Sequence, residues 1–117
     1  MPGMRLFTVV ALTVVHVTIA APTQKPRANA KWPVTIRVTD GQGKPLRATL
    51  TMRILFAGQP VGTVDNGKVW RFVGTWREPK GQEITWPASA RGQPLAFQAI
   101  VHAAGRTVKK SIPIHVR

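Results

Sequence analysis

Apolar and polar residues alternate strictly in the middle of the chain, and this alternation constrains the fold more than any other feature. Every second position from 46 to 56 is apolar: Leu46, Ala48, Leu50, Met52, Ile54 and Phe56. The polar residues between them are Arg47, Thr49, Thr51 and Arg53. Successive side chains of a β-strand point to opposite faces, so this period of two predicts a long strand with one buried face.

The rest of the chain divides into shorter alternating segments separated by turn residues. Such segments lie at 34–39, 60–64, 69–76, 82–86, 95–102 and 107–116, and the chain has ten glycines and ten prolines. We expect about seven short strands in two antiparallel sheets packed as a sandwich, with a small barrel as the alternative fold. The Asn66-Gly67 pair predicts a two-residue hairpin turn between segments 60–64 and 69–76.

The N-terminal segment has the layout of an export signal. Arg5 precedes the uncharged run 6–19, and the small residues Ala20 and Ala21 follow it. This layout predicts a helical signal peptide over residues 1–20, and the exported protein would be secreted or held in the cell envelope. A helix over the run would span about 21 Å, short of the roughly 30 Å hydrocarbon core, so no stable membrane span is expected after processing. Residues 21–31 lack apolar periodicity and are predicted to be a flexible linker to a domain at 32–117.

Two parts of the sequence resemble a known group of domains. These are the opening segment 34–46 and the closing segment 92–116 with its Ala104-Gly105 turn. They resemble the bacterial immunoglobulin-like domains of exported and cell-surface proteins, and the resemblance spans residues 32–117. It implies an all-β, antiparallel immunoglobulin-like sandwich of about seven strands that acts as a binding or structural module.

The titratable residues give no catalytic constellation and no cofactor or metal site. The chain has no cysteine, which excludes disulfides, thiolate nucleophiles and zinc–cysteine sites. A hairpin at Ala104-Gly105 would place His115 opposite Pro94, eight residues and about 27 Å from His102, too far apart to share a metal. Glu78 and Glu83 flank a loop, where two carboxylates lack the deep cleft that glycosidase chemistry needs. We therefore expect a protein that is not an enzyme.

Basic residues dominate the charge of the chain. Seventeen Lys and Arg oppose four Asp and Glu, a formal net charge of +13, and removing residues 1–20 would take away Arg5 alone. A charged partner is therefore expected to be anionic. The candidate binding residues are the outward arginines of successive strands, predicted to share one sheet face, together with one tryptophan that could stack on sugars or bases. They are Arg37, Arg47, Arg53, Arg71, Trp76 and Arg77.

Two functions follow from these features. The first is a secreted, non-enzymatic immunoglobulin-like module that is structural or docks on anionic envelope polymers, glycans or an acidic protein. The alternative is a basic β domain that binds nucleic acid, since Lys and Arg release phosphate counterions whatever the biological setting. Export argues against nucleic acid as the normal partner.

Overall fold

The computed structural model describes residues 13–117, and strand β4 (Arg47–Phe56) is the central strand of its largest sheet. The described residues form an all-β fold with antiparallel pairing throughout, as predicted. The other strands are β1 (His16–Ala20), β2 (Lys31–Trp32), β3 (Thr35–Thr39), β5 (Gln59–Thr63), β6 (Trp70–Val73), β7 (Thr75–Arg77), β8 (Ile84–Thr85), β9 (Leu95–Ala103) and β10 (Arg106–Ile114). Short 3-10 turns lie at Asp65–Gly67 and Ala88–Ala90.

The five-stranded sheet is built around β4. One edge of β4 pairs with β9, and β10 pairs with the far side of β9. The other edge pairs with β6 along its first half and with β5 along its second half. Ala104 and Gly105, with φ of 51° and 72°, close the β9–β10 hairpin, whose register confirms the turn predicted there. Ala57 and Gly58, with φ of 48° and 82°, close the β4–β5 hairpin.

Two smaller sheets complete the fold, and one hydrophobic core joins them to the first. Strands β1, β3 and β7 form a three-stranded sheet, and β2 pairs with β8. Fully buried residues come from both larger sheets, including Ile36 and Val38 of β3, Leu50 of β4 and Phe97 of β9. Trp32 of β2 packs edge-on against Phe97 at a ring-centroid distance of 5.4 Å. Of the residues predicted to form the inward face of β4, those from Leu46 to Ile54 meet in this core.

The last residue of β4 departs from the predicted burial. Leu55 is buried, whereas Phe56 is 40% exposed. The pairing with β5 shifts between Ile54 and Leu55, but the extra residue is Val61 of β5, and the register of β4 with β9 continues unbroken to Phe56. The prediction that Phe56 belongs to the buried face was wrong because Phe56 ends the strand beside the Ala57-Gly58 turn, beyond the hydrophobic core.

The hairpin predicted at Asn66-Gly67 is also corrected. Asp65, Asn66 and Gly67 all have positive φ, as a tight turn requires, but the strands on either side do not pair with each other. Both β5 and β6 instead pair with the same edge of β4. After β6 the chain leaves this sheet at Gly74, and β7 pairs with β3. The segment 69–76, predicted as one strand, is therefore two strands in different sheets.

The N-terminal part of the described chain belongs to the fold. Residues 16–20, predicted to end a signal helix, form β1, which pairs with β3 and buries Val17. The predicted flexible linker 21–31 is fixed by backbone bonds: Ala28 N donates to Arg117 O at 2.9 Å and Arg117 N donates to Pro26 O at 2.8 Å. These bonds correct the linker prediction, because paired backbone groups hold the segment against the C-terminal residues. Residues 1–12 of the predicted signal segment lie outside the described residues.

Among the glycines of residues 13–117, Gly74 is the one where an added Cβ would make the closest contact. Its φ is +77°, and a Cβ built there would lie 2.7 Å from Pro45 Cβ. We expect Gly74→Ala to lower the free energy of unfolding by about 2 to 4 kcal/mol, from backbone strain plus this overlap. The matched control is Gly92→Ala, where φ is +73° but a Cβ would meet nothing within 4 Å. Equal losses in urea denaturation of the two variants would contradict a steric role for Pro45.

Strand β1 should contribute measurably to stability. A variant that starts at Ala21 loses the pairing with β3 and the burial of Val17, which is 7% exposed. We expect its free energy of unfolding to be lower by about 2 kcal/mol or more than that of a variant that starts at Thr13, because burying a valine side chain alone contributes about that amount. Identical urea midpoints for the two variants would show that β1 is dispensable.

Candidate functional site

A basic cleft lies at the end of the five-stranded sheet where β4 begins, β6 ends and the β9–β10 turn closes. Its volume is about 760 Å³. The polar side chains in its lining are Arg47, Thr49, Arg71, His102, Arg106 and Thr107. None of the lining residues, all within 13–117, is Asp or Glu. The cleft therefore concentrates cationic and donor groups without an internal counter-charge.

Strand register explains how these side chains meet. Arg71 is opposite Thr49, Thr49 is opposite His102, and His102 is opposite Thr107, so they form one row across four strands. Neighbouring strands lie about 4.8 Å apart, which spaces the members of the row by that distance. The His102 ring Nδ1 and the Thr107 hydroxyl are 2.8 Å apart, so Nε2 is the ring nitrogen left for a ligand.

Arg53 lies on the same outward face, further along β4. Arg53 is opposite Gln98, and Gln98 is opposite Ser111. Arg53 Nε donates to Gln98 Oε1 at 2.5 Å, and Gln98 Nε2 donates to Ser111 Oγ at 3.0 Å. This second polar row holds the Arg53 side chain in place while leaving its terminal guanidinium nitrogens outside these two bonds.

The prediction that five arginines share one face is corrected by the sheet topology. Arg47, Arg53 and Arg71 lie in the five-stranded sheet, whereas Arg37 is in β3 and Arg77 in β7 of the three-stranded sheet. The physical reason is the crossing at Gly74, which sends the residues after β6 to the other sheet. The candidate arginines therefore form two separate groups.

Trp76 does not belong to an outward binding surface. It is 5% exposed and packs against Trp70, with ring centroids 5.3 Å apart. Trp86 is buried, and Trp70 is half-buried, with Lys68 Nζ 4.0 Å from the centre of its ring. The alternation across 69–76 could not place Trp76, because β6 and β7 lie in different sheets.

Arg106 and His102 line the cleft but were not among the predicted binding residues. A signal for both was present, since the Ala104-Gly105 turn fixes the register of the last hairpin and so places His102 opposite Thr107. The contact of His102 with the residues of β4 could be predicted only from the pairing of β4 with β9. The two hairpins and their turn residues do not specify which strand flanks β9.

A second, acidic cleft of about 400 Å³ lies near the other end of β4. Its lining includes Ile54, Asp65, Gln82, Glu83 and Trp86. Glu83 lies close to the backbone of its own loop, because Gly81 N donates to Glu83 Oε1 at 2.7 Å. A hydrogen bond from the backbone amide of Glu83 itself, followed by the one from Gly81, holds the pKa of Glu83 below its usual value.

Glu78 lies behind this cleft with its carboxyl group directed at Asp65. Its side chain is 8% exposed, and no donor reaches either carboxylate oxygen. Burial raises the pKa of Glu78 to about 7, helped by the negative charge of Asp65, a hydrogen bond with that carboxyl group and the charge of Glu83. Two ionised carboxylates have no hydrogen-bond donor between them, so one of the pair must be protonated for a hydrogen bond to form. Glu78 and Asp65 therefore hydrogen-bond when Glu78 is protonated.

The fourth carboxylate has a purely local role. Asp40 Oδ1 accepts hydrogen bonds from the backbone N–H of Gln42 at 2.8 Å and of Lys44 at 2.9 Å. These bonds, with the one from Lys44 the stronger, lower the pKa of Asp40. Asp40 therefore stabilises the turn before β4, a common role of Asp side chains in turns.

Within residues 13–117, no three His, Cys, Asp or Glu side chains come together as potential metal ligands. No helix in the same range has the length and hydropathy to cross a bilayer.

The raised pKa of Glu78 predicts a pH-dependent stability. Between about pH 4.5, its usual pKa, and about pH 7, the folded protein binds this proton more tightly than the unfolded chain. The stability contribution is therefore complete below the lower value and is lost as the pH rises through 7. Glu78→Gln should be more stable than wild type at pH 8, by about 1 to 3 kcal/mol, and equal to it near pH 4. Urea denaturation from pH 4 to 8 measures this, with Asp40→Asn as the control that keeps the wild-type fall between pH 5 and 8.

Comparisons with known proteins show a distant likeness in fold. No protein-family model matches the chain, and no curated protein matches it. Among solved structures, the chain is similar to Spo0M, a sporulation control protein from Bacillus subtilis, with a TM-score of 0.50 and 13% sequence identity. The match covers 89% of this chain and 49% of Spo0M, so the chain spans about half the length of that protein. At this identity the likeness concerns the fold alone.

Proposed function

We propose that this protein is a non-enzymatic binding module with an immunoglobulin-like sandwich fold, and that it docks on anionic polymers through the basic cleft. The observation that carries the proposal is the convergence of Arg47, Arg71 and Arg106 with His102 on one cleft without a carboxylate in its lining. Arginine presents a planar fork of donors that matches phosphate, sulfate and carboxylate groups. Three such forks around one cleft favour an anionic ligand over a neutral one.

The charges beyond the cleft favour a polymer over a small anion. Arg53 lies six residues from Arg47 on the same strand, which is about 20 Å along the sheet face. Lys109 of β10 is exposed and adds another cation to that face, opposite Ile100. A chain with repeating negative groups can contact the cleft and these outlying cations together. A single small anion can occupy the cleft alone.

Export to the cell surface is part of the proposal, and strand β1 sets a condition on it. The motivation is the uncharged run before Ala20 together with a net charge of +13, which suits anionic envelope polymers or glycans. Cleavage after Ala20 would remove β1 and its buried Val17. We therefore expect any processing to leave β1 attached. Intact-mass measurement of the exported protein tests this, and a product that starts at Ala21 would contradict it.

Nucleic-acid binding is the second candidate, because phosphate contacts alone carry little sequence information and the same arginines would serve. The two candidates differ in what they predict for selectivity. A module built for envelope polymers or glycans should prefer them to duplex DNA at matched charge density. Equal affinity for all polyanions, or a preference for DNA, would favour the second candidate.

Substitution of the cleft arginines tests the proposal directly. The variant Arg47→Gln, Arg71→Gln, Arg106→Gln should bind a teichoic-acid-like polymer, a sulfated glycan and duplex DNA at least about tenfold more weakly than wild type at low salt. The reason is that each lost arginine removes one charge-assisted contact, and about 1.4 kcal/mol corresponds to tenfold. The slope of log affinity against log salt should also fall by about two to three, one per lost contact.

The control variant is Arg37→Gln, Arg77→Gln, Lys25→Gln, which makes the same change in net charge away from the basic cleft. When both variants are compared with wild type at physiological ionic strength, the affinity of the control should stay within about threefold of wild type if the cleft is the site, because screening there limits distant charges to a reach of about 8 Å. Equal losses in both variants would show that only the overall charge attracts polyanions. If the wild-type protein binds none of these polyanions at low salt, the proposal is wrong.

A further inference from the structure

A row of polar side chains crosses the outward face of the five-stranded sheet beyond the basic cleft. Arg53 of β4, Gln98 of β9 and Ser111 of β10 are opposite one another in the strand register, and we call them the Gln98 network. Gln98 is at its centre and is only 9% exposed. A buried amide needs hydrogen-bond partners, and Arg53 and Ser111 supply them.

The chemistry of the three side chains determines the direction of each hydrogen bond in the network. Arginine can only donate, so the atom of the Gln98 amide that faces Arg53 Nε must be the carbonyl oxygen. The amide NH2 group then faces Ser111 and donates to its Oγ at 3.0 Å. Because Ser111 Oγ accepts this bond, its own hydroxyl hydrogen is left to donate to another group. Both ends of the network therefore offer donors, namely the terminal guanidinium nitrogens of Arg53 and the Ser111 hydroxyl.

The network also orders Arg53 before any ligand arrives. A freely rotating arginine loses conformational freedom when it binds, and this loss weakens affinity. Arg53 is half-buried and its Nε is already bonded to Gln98, so part of that loss takes place during folding. Its terminal nitrogens keep the planar fork of donors that matches an oxyanion.

The charges around the network favour an anion. On the side towards the basic cleft, the next outward residues are Thr51, Ile100 and Lys109, none of which is acidic. Lys109 is exposed and adds a positive charge to this face. The carboxyl group of Asp65, which follows β5, is engaged with Glu78.

The Gln98 network and the basic cleft lie on the same strands at a fixed distance. Arg53 is four residues from Thr49 on β4, and Gln98 is four residues from His102 on β9. Thr49 and His102 line the basic cleft. Each residue of a strand adds about 3.3 Å, so the two places are about 13 Å apart. A single oxyanion cannot contact both, whereas a flexible chain of such groups can.

We propose that the Gln98 network is a second oxyanion-binding site, which binds a phosphate or sulfate group of the same polymer chain that occupies the basic cleft. Arg53 contacts the oxyanion, Ser111 donates its hydroxyl hydrogen to it, and Gln98 is a positioning residue that holds Arg53. The proposal rests on the proposed function, because the basic cleft is the first site. Binding there raises the local concentration of the other groups of the chain around the second site, so affinity depends on chain length.

Linear polyphosphates of two lengths measure the contribution of the second site. Triphosphate is shorter than the spacing of about 13 Å, and a chain of about fifteen phosphates is longer. In NMR titrations of the full chain at physiological ionic strength, the long chain should bind wild type at least about fivefold more tightly per phosphate than triphosphate does. Only the long chain should shift the resonances of the Arg53 Nε–H and the Gln98 amide group. A sulfated oligosaccharide of similar length is titrated in parallel, and the tighter of the two chains identifies the oxyanion.

Variants separate the second site from general charge attraction. Arg53→Gln removes the cation, whereas Gln98→Met removes the amide without changing the net charge. Each should weaken binding of the long chain about fivefold or more, because the second contact is lost or disordered. Triphosphate binding should stay within about twofold of wild type, since that ligand contacts the basic cleft alone. Ser111→Ala changes an exposed side chain and provides the second test of the network if Gln98→Met fails to fold.

The matched control is Lys110→Gln, which removes one charge from the same strand as Ser111. Lys110 is exposed and lies opposite Ala99, a core residue, so it is outside the outward face. Its affinity for both polyphosphates should equal that of wild type within about twofold, because its charge is screened from the network. The backbone resonances of each variant show whether it has kept the wild-type fold.

Several outcomes would overturn the second site. Equal affinity per phosphate of wild type for the two lengths would show that one cleft binds alone. A loss in Arg53→Gln without a loss in Gln98→Met or Ser111→Ala would make Arg53 an ordinary surface charge. An equal loss in Lys110→Gln would reduce the effect to net charge. All three leave the proposed function intact if the Arg47, Arg71 and Arg106 variant loses triphosphate binding, and undiminished binding by that variant would contradict the basic cleft itself.

Discussion

The junction of Val38, Leu46 and Gly74 ties the two main sheets together, and the position of both clefts depends on it. Val38 N donates to Gly74 O at 2.7 Å, Gly74 N donates to Leu46 O at 2.9 Å, and Leu46 N donates to Val38 O at 3.2 Å. This ring of backbone bonds satisfies groups that a chain leaving one sheet would otherwise bury unpaired. Because of this junction, β6 ends beside the first half of β4, and β7 begins beside β3. The position of β6 places Arg71 in the basic cleft.

Much of the fold could be predicted because burial follows the period of two. The alternation of Leu46 to Met52 identified β4 and its inward face, and the Ala104-Gly105 turn identified the last hairpin with its register. What could not be predicted depends on pairing between segments distant in sequence. The Asn66-Gly67 pair has the dihedral angles of a hairpin turn, yet β5 and β6 share an edge of β4, since turn residues specify local geometry and not the partner strand.

The candidate site was predicted in part, for the same reason. Arg47 and Arg71 were identified from their outward phase, and the structure brings them to one cleft. Arg37 and Arg77 have the same phase but lie in another sheet, and Trp76 is in the core. The position of a residue within the alternation of its strand determines whether its side chain points inward or outward. The sheet to which the strand belongs determines which outward side chains are neighbours. Arg106 and His102 became part of the site only through the β4–β9 pairing, which no local pattern encodes.

The two clefts can act independently because β4 holds them apart. The basic cleft includes Ala48 and the acidic cleft includes Ile54, six residues later on the strand, which corresponds to about 20 Å. Charges at that distance are largely screened at physiological ionic strength, where the Debye length is about 8 Å. At low ionic strength the screening length grows to about 30 Å, and the carboxylates of the acidic cleft would then weaken the attraction of the basic cleft for anions. A rigid strand of this length therefore lets one small domain keep opposite charges in separate sites without either neutralising the other.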